Sequence, residues 1–294
     1  MTSRRSFLKT SAVLSAGLLM APNLFAYDKK YIGLQLYTVR DHMSQDPAAT
    51  LAKVAQIGYN TVEGATYTGS EKFYGMDPAT FSKLLKDNGL WMPSSHYRLG
   101  EDKMNGQDMQ GTLMHDWQRA VDDAAAVGVK FMVCAWLSPD ERGYIPHYLQ
   151  VADQLNKAGE ICKKSGIQLC YHNHDFEFIP QDGKLPYTAM LTHTDQDLVK
   201  MEVDLYWLTK AGQDPKALFN QYPGRFPLWH MKDMDNTPNK MFTEVGNGII
   251  DFKSILKDQK KAGLQYFFVE QDVCPGDPYD SITKSITYIK GNLV

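Results

Sequence analysis

The chain has 294 residues, of which 43% are hydrophobic and 22% charged, with 31 basic against 34 acidic side chains for a net charge of −3. That balance suits a globular protein and excludes a collagen, a coiled coil or a wholly disordered chain. There is no basic surplus to support a general nucleic-acid binder. The four cysteines (Cys134, Cys162, Cys170 and Cys274) form no CxxC pair, so no disulfide framework staples the fold.

The chain opens on Ser3-Arg4-Arg5-Ser6-Phe7-Leu8-Lys9, continues through an apolar run from Ala12 to Met20 and reaches Leu24-Phe25-Ala26. A charged start, an apolar stretch and a small residue at the cut read as an export leader. The paired arginines resemble a twin-arginine signal, which is a receptor-read address. The expectation is a leader over 1–26 and a mature domain over 27–294, exported folded through the twin-arginine machinery to the periplasm. The apolar run is too short for a permanent membrane anchor.

Beyond it, short apolar or β-branched runs alternate with helical patterns. Strands are expected at Tyr31–Val39, Asn60–Ala65, Leu90–Tyr97, Lys130–Leu137, Ile167–His174, Leu198–Trp207, Phe226–Asp233 and Tyr266–Val273. Helices are expected at Pro47–Ile57, Pro78–Asn88, His115–Val127, Pro146–Ser165, Tyr187–His193, Pro215–Tyr222, Phe252–Ala262 and Pro278–Gly291. Four of them start at Asp-Pro (46–47, 77–78, 214–215 and 277–278), with Asp as N-cap and Pro at the first helical position. Several stop at Gly58, Gly89, Gly128, Gly166 and Gly263. Eight strands, each followed by a helix, without GxGxxG or GxxxxGK[ST], predict an α/β fold: a single-domain (β/α)8 TIM barrel rather than an open doubly wound sheet.

In such a barrel the site lies at the C-terminal ends of the strands. Ionisable groups gather there: Glu63, His96 and Arg98, His172, His174 and Glu177, Glu202 and Asp204, His230, Lys232 and Asp233, and Glu270 and Asp272. Buried polar groups need partners. The set Glu177, Asp204, His230 and Glu270, from four consecutive strands, is the candidate ligand sphere for one divalent ion, Mn²⁺, Mg²⁺, Co²⁺ or Zn²⁺. Glu202 is expected to form an internal ion pair with Lys200 or Lys232. Asp233 and Asp272 also fit helix caps or solvated loop positions.

The segments Gly33-Leu34-Gln35-Leu36-Tyr37-Thr38-Val39-Arg40, Tyr171-His172-Asn173-His174-Asp175-Phe176-Glu177, Glu202-Val203-Asp204, Trp229-His230-Met231-Lys232-Asp233 and Val269-Glu270-Gln271-Asp272 resemble the xylose isomerase-like TIM barrels of the sugar phosphate isomerase/epimerase superfamily. The likeness runs from Tyr31 to the C-terminus. It implies a metal held by two Glu, one Asp and one His. Asp204, His230 and Glu270 match; Glu177 is taken as the fourth ligand, with His172 as the alternative. Where the ketose epimerases carry a substrate-binding His three residues after the Asp, this chain has Trp207.

The resemblance implies proton abstraction next to a carbonyl, with Glu177, Glu270, His172, His174 and Lys232 as acid–base candidates. Tyr37, Glu63, His96, Arg98, Trp136 and Trp207 are the substrate-binding candidates, and Trp229 and Phe178 are further aromatic platforms, with Trp229 better explained as core. The expected function is isomerisation or epimerisation of a neutral sugar or keto-sugar. The alternative is β-elimination from a 3-keto-glycoside or keto-inositol, and a third reading is a non-catalytic carbohydrate-binding barrel. The expected partner is a small sugar or glycoside, with no nucleic acid; a homo-oligomer is left open.

Overall fold

The computed structural model describes residues 31–100, 103–104 and 106–294; the expected leader lies outside the described residues. Eight parallel strands close into a barrel: β1 (Gly33–Gln35), β2 (Thr61–Gly64), β3 (Trp91–Tyr97), β4 (Phe131–Cys134), β5 (Gln168–His172), β6 (Val199–Asp204), β7 (Leu228–Met231) and β8 (Tyr266–Val269). β1 pairs with both β2 and β8, which completes the ring. Helices connect the strands, so the predicted single-domain (β/α)8 architecture is observed. No helix among the described residues is long and apolar enough to cross a membrane.

The caps act as their residue types dictate. The carboxylates of Asp46, Asp77, Asp214 and Asp277 accept from the backbone N–H groups of Ala49, Ala79, Lys216 and Tyr279. Gly58, Gly128 and Gly263 close their helices in the left-handed conformation. The strands end earlier than the apolar runs suggest, because side chains at their C-terminal ends cap the next turn. The Gln35 side-chain oxygen accepts from Tyr37 N–H and turns Leu36–Val39 into a 3-10 helix. Asp204 accepts from Trp207 N–H and starts a helix over Leu205–Lys210. The expected helix over Phe252–Ala262 is broken into Phe252–Ile255, a 3-10 turn over Leu256–Asp258, and Gln259–Ala262.

Within the ring, Phe131, Val133, Cys170, Leu228 and Phe268 form their own apolar cluster. Phe268 fills the interior so closely that a Cβ on Gly33 would fall 2.3 Å from its ring, which explains glycine in β1. The larger apolar core lies between the strands and the surrounding helices and includes Trp229 and Phe178. Trp229 is stacked on Phe219 and Phe178 packs against Tyr187, so neither is a sugar platform.

Asp233 organises the loop after β7. Its two carboxylate oxygens accept from the N–H groups of Met234, Gly246, Gly248 and Ile250. It is therefore neither a helix cap nor a solvated residue but the clamp of this loop. Asp233→Asn turns an NH₂ group towards two of these donors. It is expected to cost about 3 kcal/mol, the scale of hydrogen bonds to a charged acceptor. Denaturant unfolding checks this, and a loss below about 1 kcal/mol would show that the clamp is dispensable.

Candidate active site

The polar side chains stand on the barrel interior in two tiers. The outer tier is Asp204, His230 and Glu270, whose ligand-capable atoms lie within 4.8 Å of one another. Lys232 joins them, with Nζ 3.1 Å from Asp204, 2.7 Å from Glu270 and 2.8 Å from Asp272. The inner tier is Glu63, His96, His172 and Glu202, all buried, with Gln35 beneath Glu63. His230 joins the tiers: Nδ1 is 2.8 Å from Glu270, while Nε2 is 2.6 Å from Glu63 and 3.3 Å from Glu202. His172 also spans them, with Nδ1 3.1 Å from Glu202 and Nε2 4.0 Å from Asp204.

Strand alternation puts these groups on one face. Glu202 and Asp204 are two residues apart on β6, and His230 pairs with Asp204 across the β6–β7 ladder. Glu63 and His96 come from the ends of β2 and β3. Asn173 ties β5 to β6, because its side-chain oxygen accepts from Asp204 N–H.

Glu177 does not join the other three expected ligands. β5 ends at His172, and the chain turns into a 3-10 helix over Phe176–Phe178. The Glu177 carboxylate accepts from the Tyr171 hydroxyl at 2.6 Å and from His174 N–H at 2.9 Å. Tyr171 belongs to the core outside the ring, so Glu177 is drawn to that side, and His172 comes closest to the expected fourth position. Glu202 also departs from expectation. Its partners are His96, His172 and His230, whereas Lys200 bonds Gly224 O.

Burial and neighbouring charge divide these groups into charged and neutral. Burial pulls His96 and His230 down, but the surrounding carboxylates outweigh it; His96 is lifted to about 9 and His230 well above its usual value. His172 is pushed well down by burial and by the neighbouring imidazoles, and His174 is pushed to about 3 by burial and Lys232. Burial also works against the Lys232 ammonium, yet Asp204, Glu270 and Asp272 hold it firmly charged. Burial raises Asp204 to about 6, partly opposed by Lys232.

Glu177 is raised to about 7 by burial, which its hydrogen bonds only partly offset. A carboxyl whose pKa is higher in the folded state binds more protons there, so its contribution to stability is full below pH ~4.3 and lost as pH rises through about 7. Glu177→Gln is expected to gain on the parent by up to about 3 kcal/mol between pH 5 and 8. Denaturation at several pH values reads this directly, and a pH-independent difference would contradict it.

The substrate-binding candidates occupy two positions. Glu63 and His96 are interior, hydrogen-bonded members of the inner tier. The others surround the mouth. Tyr37 is exposed beneath Arg40, Trp136 is half-buried with Arg98 and Arg142 near its ring, and Trp207 lies 5.5 Å from Lys232 Nζ. His174 stacks on Phe176 and faces Trp207 at 5.6 Å. Gln35 was not among the sequence candidates, although it stands in the Gly33–Arg40 segment that carries the family likeness.

The donor set fits a divalent ion. Asp204 Oδ2 is buried and makes no hydrogen bond, its charge being met by the Lys232 ammonium at 3.1 Å, and carboxylate and imidazole donors suit hard and borderline cations. The group His96, His172, Glu202 and His230 could also hold a metal.

Residues 51–289 match the family model described as xylose isomerase-like TIM barrel. The inosose dehydratase of Lacticaseibacillus casei is 26% identical over 263 residues, covering 78% of this chain and 86% of that protein. A sugar phosphate isomerase/epimerase from Parabacteroides distasonis superposes with a TM-score of 0.77 at 27% identity, covering 92% of this chain and 99% of that one. A xylose isomerase-like TIM barrel protein from Mycobacterium smegmatis, solved in complex with magnesium, shares the fold with a TM-score of 0.66 at 18% identity, covering 90% and 97%.

Proposed function

Because the chain belongs to the xylose isomerase-like TIM barrel family, we propose that it is a divalent-metal-dependent lyase. It removes the proton next to the carbonyl of a cyclic keto-sugar, a 3-keto-glycoside or a keto-inositol, and expels the β-substituent. The observation that carries this reading is the placement of Glu177. An epimerase needs a second acid–base group to return the proton on the opposite face. Glu177, one of the acid–base candidates, is bonded to the Tyr171 hydroxyl and His174 N–H instead. Elimination needs no proton return on the opposite face, so a base and an acid standing together are enough, and His174 and Lys232 both flank Trp207. The inosose dehydratase relative is consistent with that chemistry.

Asp204, His230 and Glu270, with His172 in place of Glu177, would hold the metal. When bound, it polarises the substrate carbonyl and stabilises the negative charge that develops there. His174, whose Nδ1 is buried without a hydrogen-bond partner and whose ring faces Trp207, takes the α-proton. The C–H electron pair becomes the new C=C bond as the β-C–O bond breaks. Lys232 gives a proton to the departing oxygen, so water or an alcohol leaves and an unsaturated ketone remains. Trp207, against both His174 and Lys232, covers the substrate and excludes water. The Arg4-Arg5 leader belongs to the same proposal: it delivers the folded enzyme to the periplasm, where the substrate is an unphosphorylated sugar.

The test is incubation of metal-loaded protein with 3-keto-glycosides and keto-inositols in D₂O. Release of the aglycone or water with formation of an enone supports the lyase. Deuterium incorporation without loss of a group points to an isomerase or epimerase. Binding without exchange points to a carbohydrate-binding barrel.

A further inference from the structure

Glu63 and Glu202 are deeply buried carboxylates that the reaction above does not use. Burying a carboxylate is costly and is tolerated only with good partners. Here the partners are mainly imidazoles. Glu63 Oε2 lies 2.6 Å from His230 Nε2 and 3.3 Å from His96 Nε2. Glu202 Oε2 lies 2.8 Å from His96 Nε2, 3.1 Å from His172 Nδ1 and 3.3 Å from His230 Nε2. The second oxygen of each has no hydrogen-bond partner.

The support beneath them is specified as well. The Gln35 side-chain oxygen accepts from Tyr37 N–H, which leaves its NH₂ group to donate to Glu63 at 2.8 Å. His96 links the two carboxylates to each other. Both sit within barrel strands, Glu63 in β2 and Glu202 in β6, where their positions are rigid.

An ionised carboxylate only accepts, so the imidazole nitrogen facing it carries the hydrogen. That places a hydrogen on His230 Nε2 and on His172 Nδ1; by the same rule His230 Nδ1, 2.8 Å from Glu270, also carries one in the metal-free protein, and a bound divalent ion would take its place. The opposite nitrogens, His230 Nδ1 and His172 Nε2, are the ones that face Glu270 and Asp204. The geometry points to Glu63 and Glu202 as positioning residues that hold the inner nitrogens of His230 and His172 and so aim their outer nitrogens at a divalent ion at the mouth. The inference rests on the metal reading given above. It also sets the inner tier apart from a second metal site, because Glu63 and Glu202 engage the inner nitrogens as hydrogen-bond acceptors.

The test is zinc affinity measured by competition with a chelating dye, with no substrate present. Zinc is chosen because nitrogen-containing sites favour it over manganese or cobalt at the weaker end of the divalent series. Glu63→Leu and Glu202→Leu should each weaken zinc binding about 10–100-fold, the usual effect of removing a carboxylate behind a metal-bound imidazole. Glu63→Gln and Glu202→Gln keep an acceptor and should largely restore affinity. A second measurement needs no variant. In the zinc-loaded parent, ¹⁵N spectra of the imidazoles should show hydrogen on His230 Nε2 and His172 Nδ1. Reversed tautomers, unchanged affinity in folded Leu variants, or two zinc ions per chain would overturn the inference while leaving the metal reading standing. A parent chain that binds no zinc would overturn both.

Discussion

Replacing His230 by alanine is expected to lower stability by about 3–5 kcal/mol, the usual result of removing one partner from a buried ion pair, and to abolish turnover. His230 is fully buried, and its ring lies within 4 Å of four carboxylates: Glu63, Glu202, Asp204 and Glu270. The imidazole partners left to Glu63 and Glu202 would be His96 and His172. Two carboxylates cannot shed their charge into an apolar interior cheaply, so the barrel would pull in water or protonate them. Guanidinium unfolding at pH 7 measures the loss. A destabilisation under about 1 kcal/mol would mean that the inner tier is hydrated rather than tightly paired.

Lys232→Met should lower kcat/KM about 10²–10⁴-fold, the range for a lost general acid, and should tighten zinc binding. The second effect separates the roles of the ammonium. Lys232 Nζ lies 3.1 Å from Asp204 Oδ2 and 2.7 Å from Glu270 Oε2, two of the oxygens a metal would use. An ammonium there neutralises the carboxylates in the metal-free protein and competes with a divalent ion for them. Without it the metal-free variant is less stable, since Asp204, Glu270 and Asp272 lose their shared cation, and added zinc should recover that loss. Weaker zinc binding in the variant would show that Lys232 supports the site instead of competing for it.

The local grammar of the chain was enough to define its architecture. Asp-Pro starts and Gly stops act within a few residues, through side-chain hydrogen bonds and backbone freedom that need no distant partner. The Pro47–Ile57 helix accordingly matches its expected bounds. Period-two alternation was likewise sufficient to put Glu202 with Asp204 and His230 with Lys232 on the interior face, and the strand ends identified the rim where Asp204, His230 and Glu270 meet.

What only the tertiary structure decided is the chemistry of each rim position. Glu177 and His172 were both plausible ligands, five residues apart. The Tyr171 hydroxyl, on the opposite face of β5, drew the carboxylate outward. Glu202 had two lysines near it in sequence or across the barrel and found three imidazoles instead. The 2.6 Å approach of His230 to Glu63 joins residues 167 positions apart. No window of sequence contains such a contact: a buried charge is paired by whatever barrel closure places beside it, and that depends on the shear and register of all eight strands together.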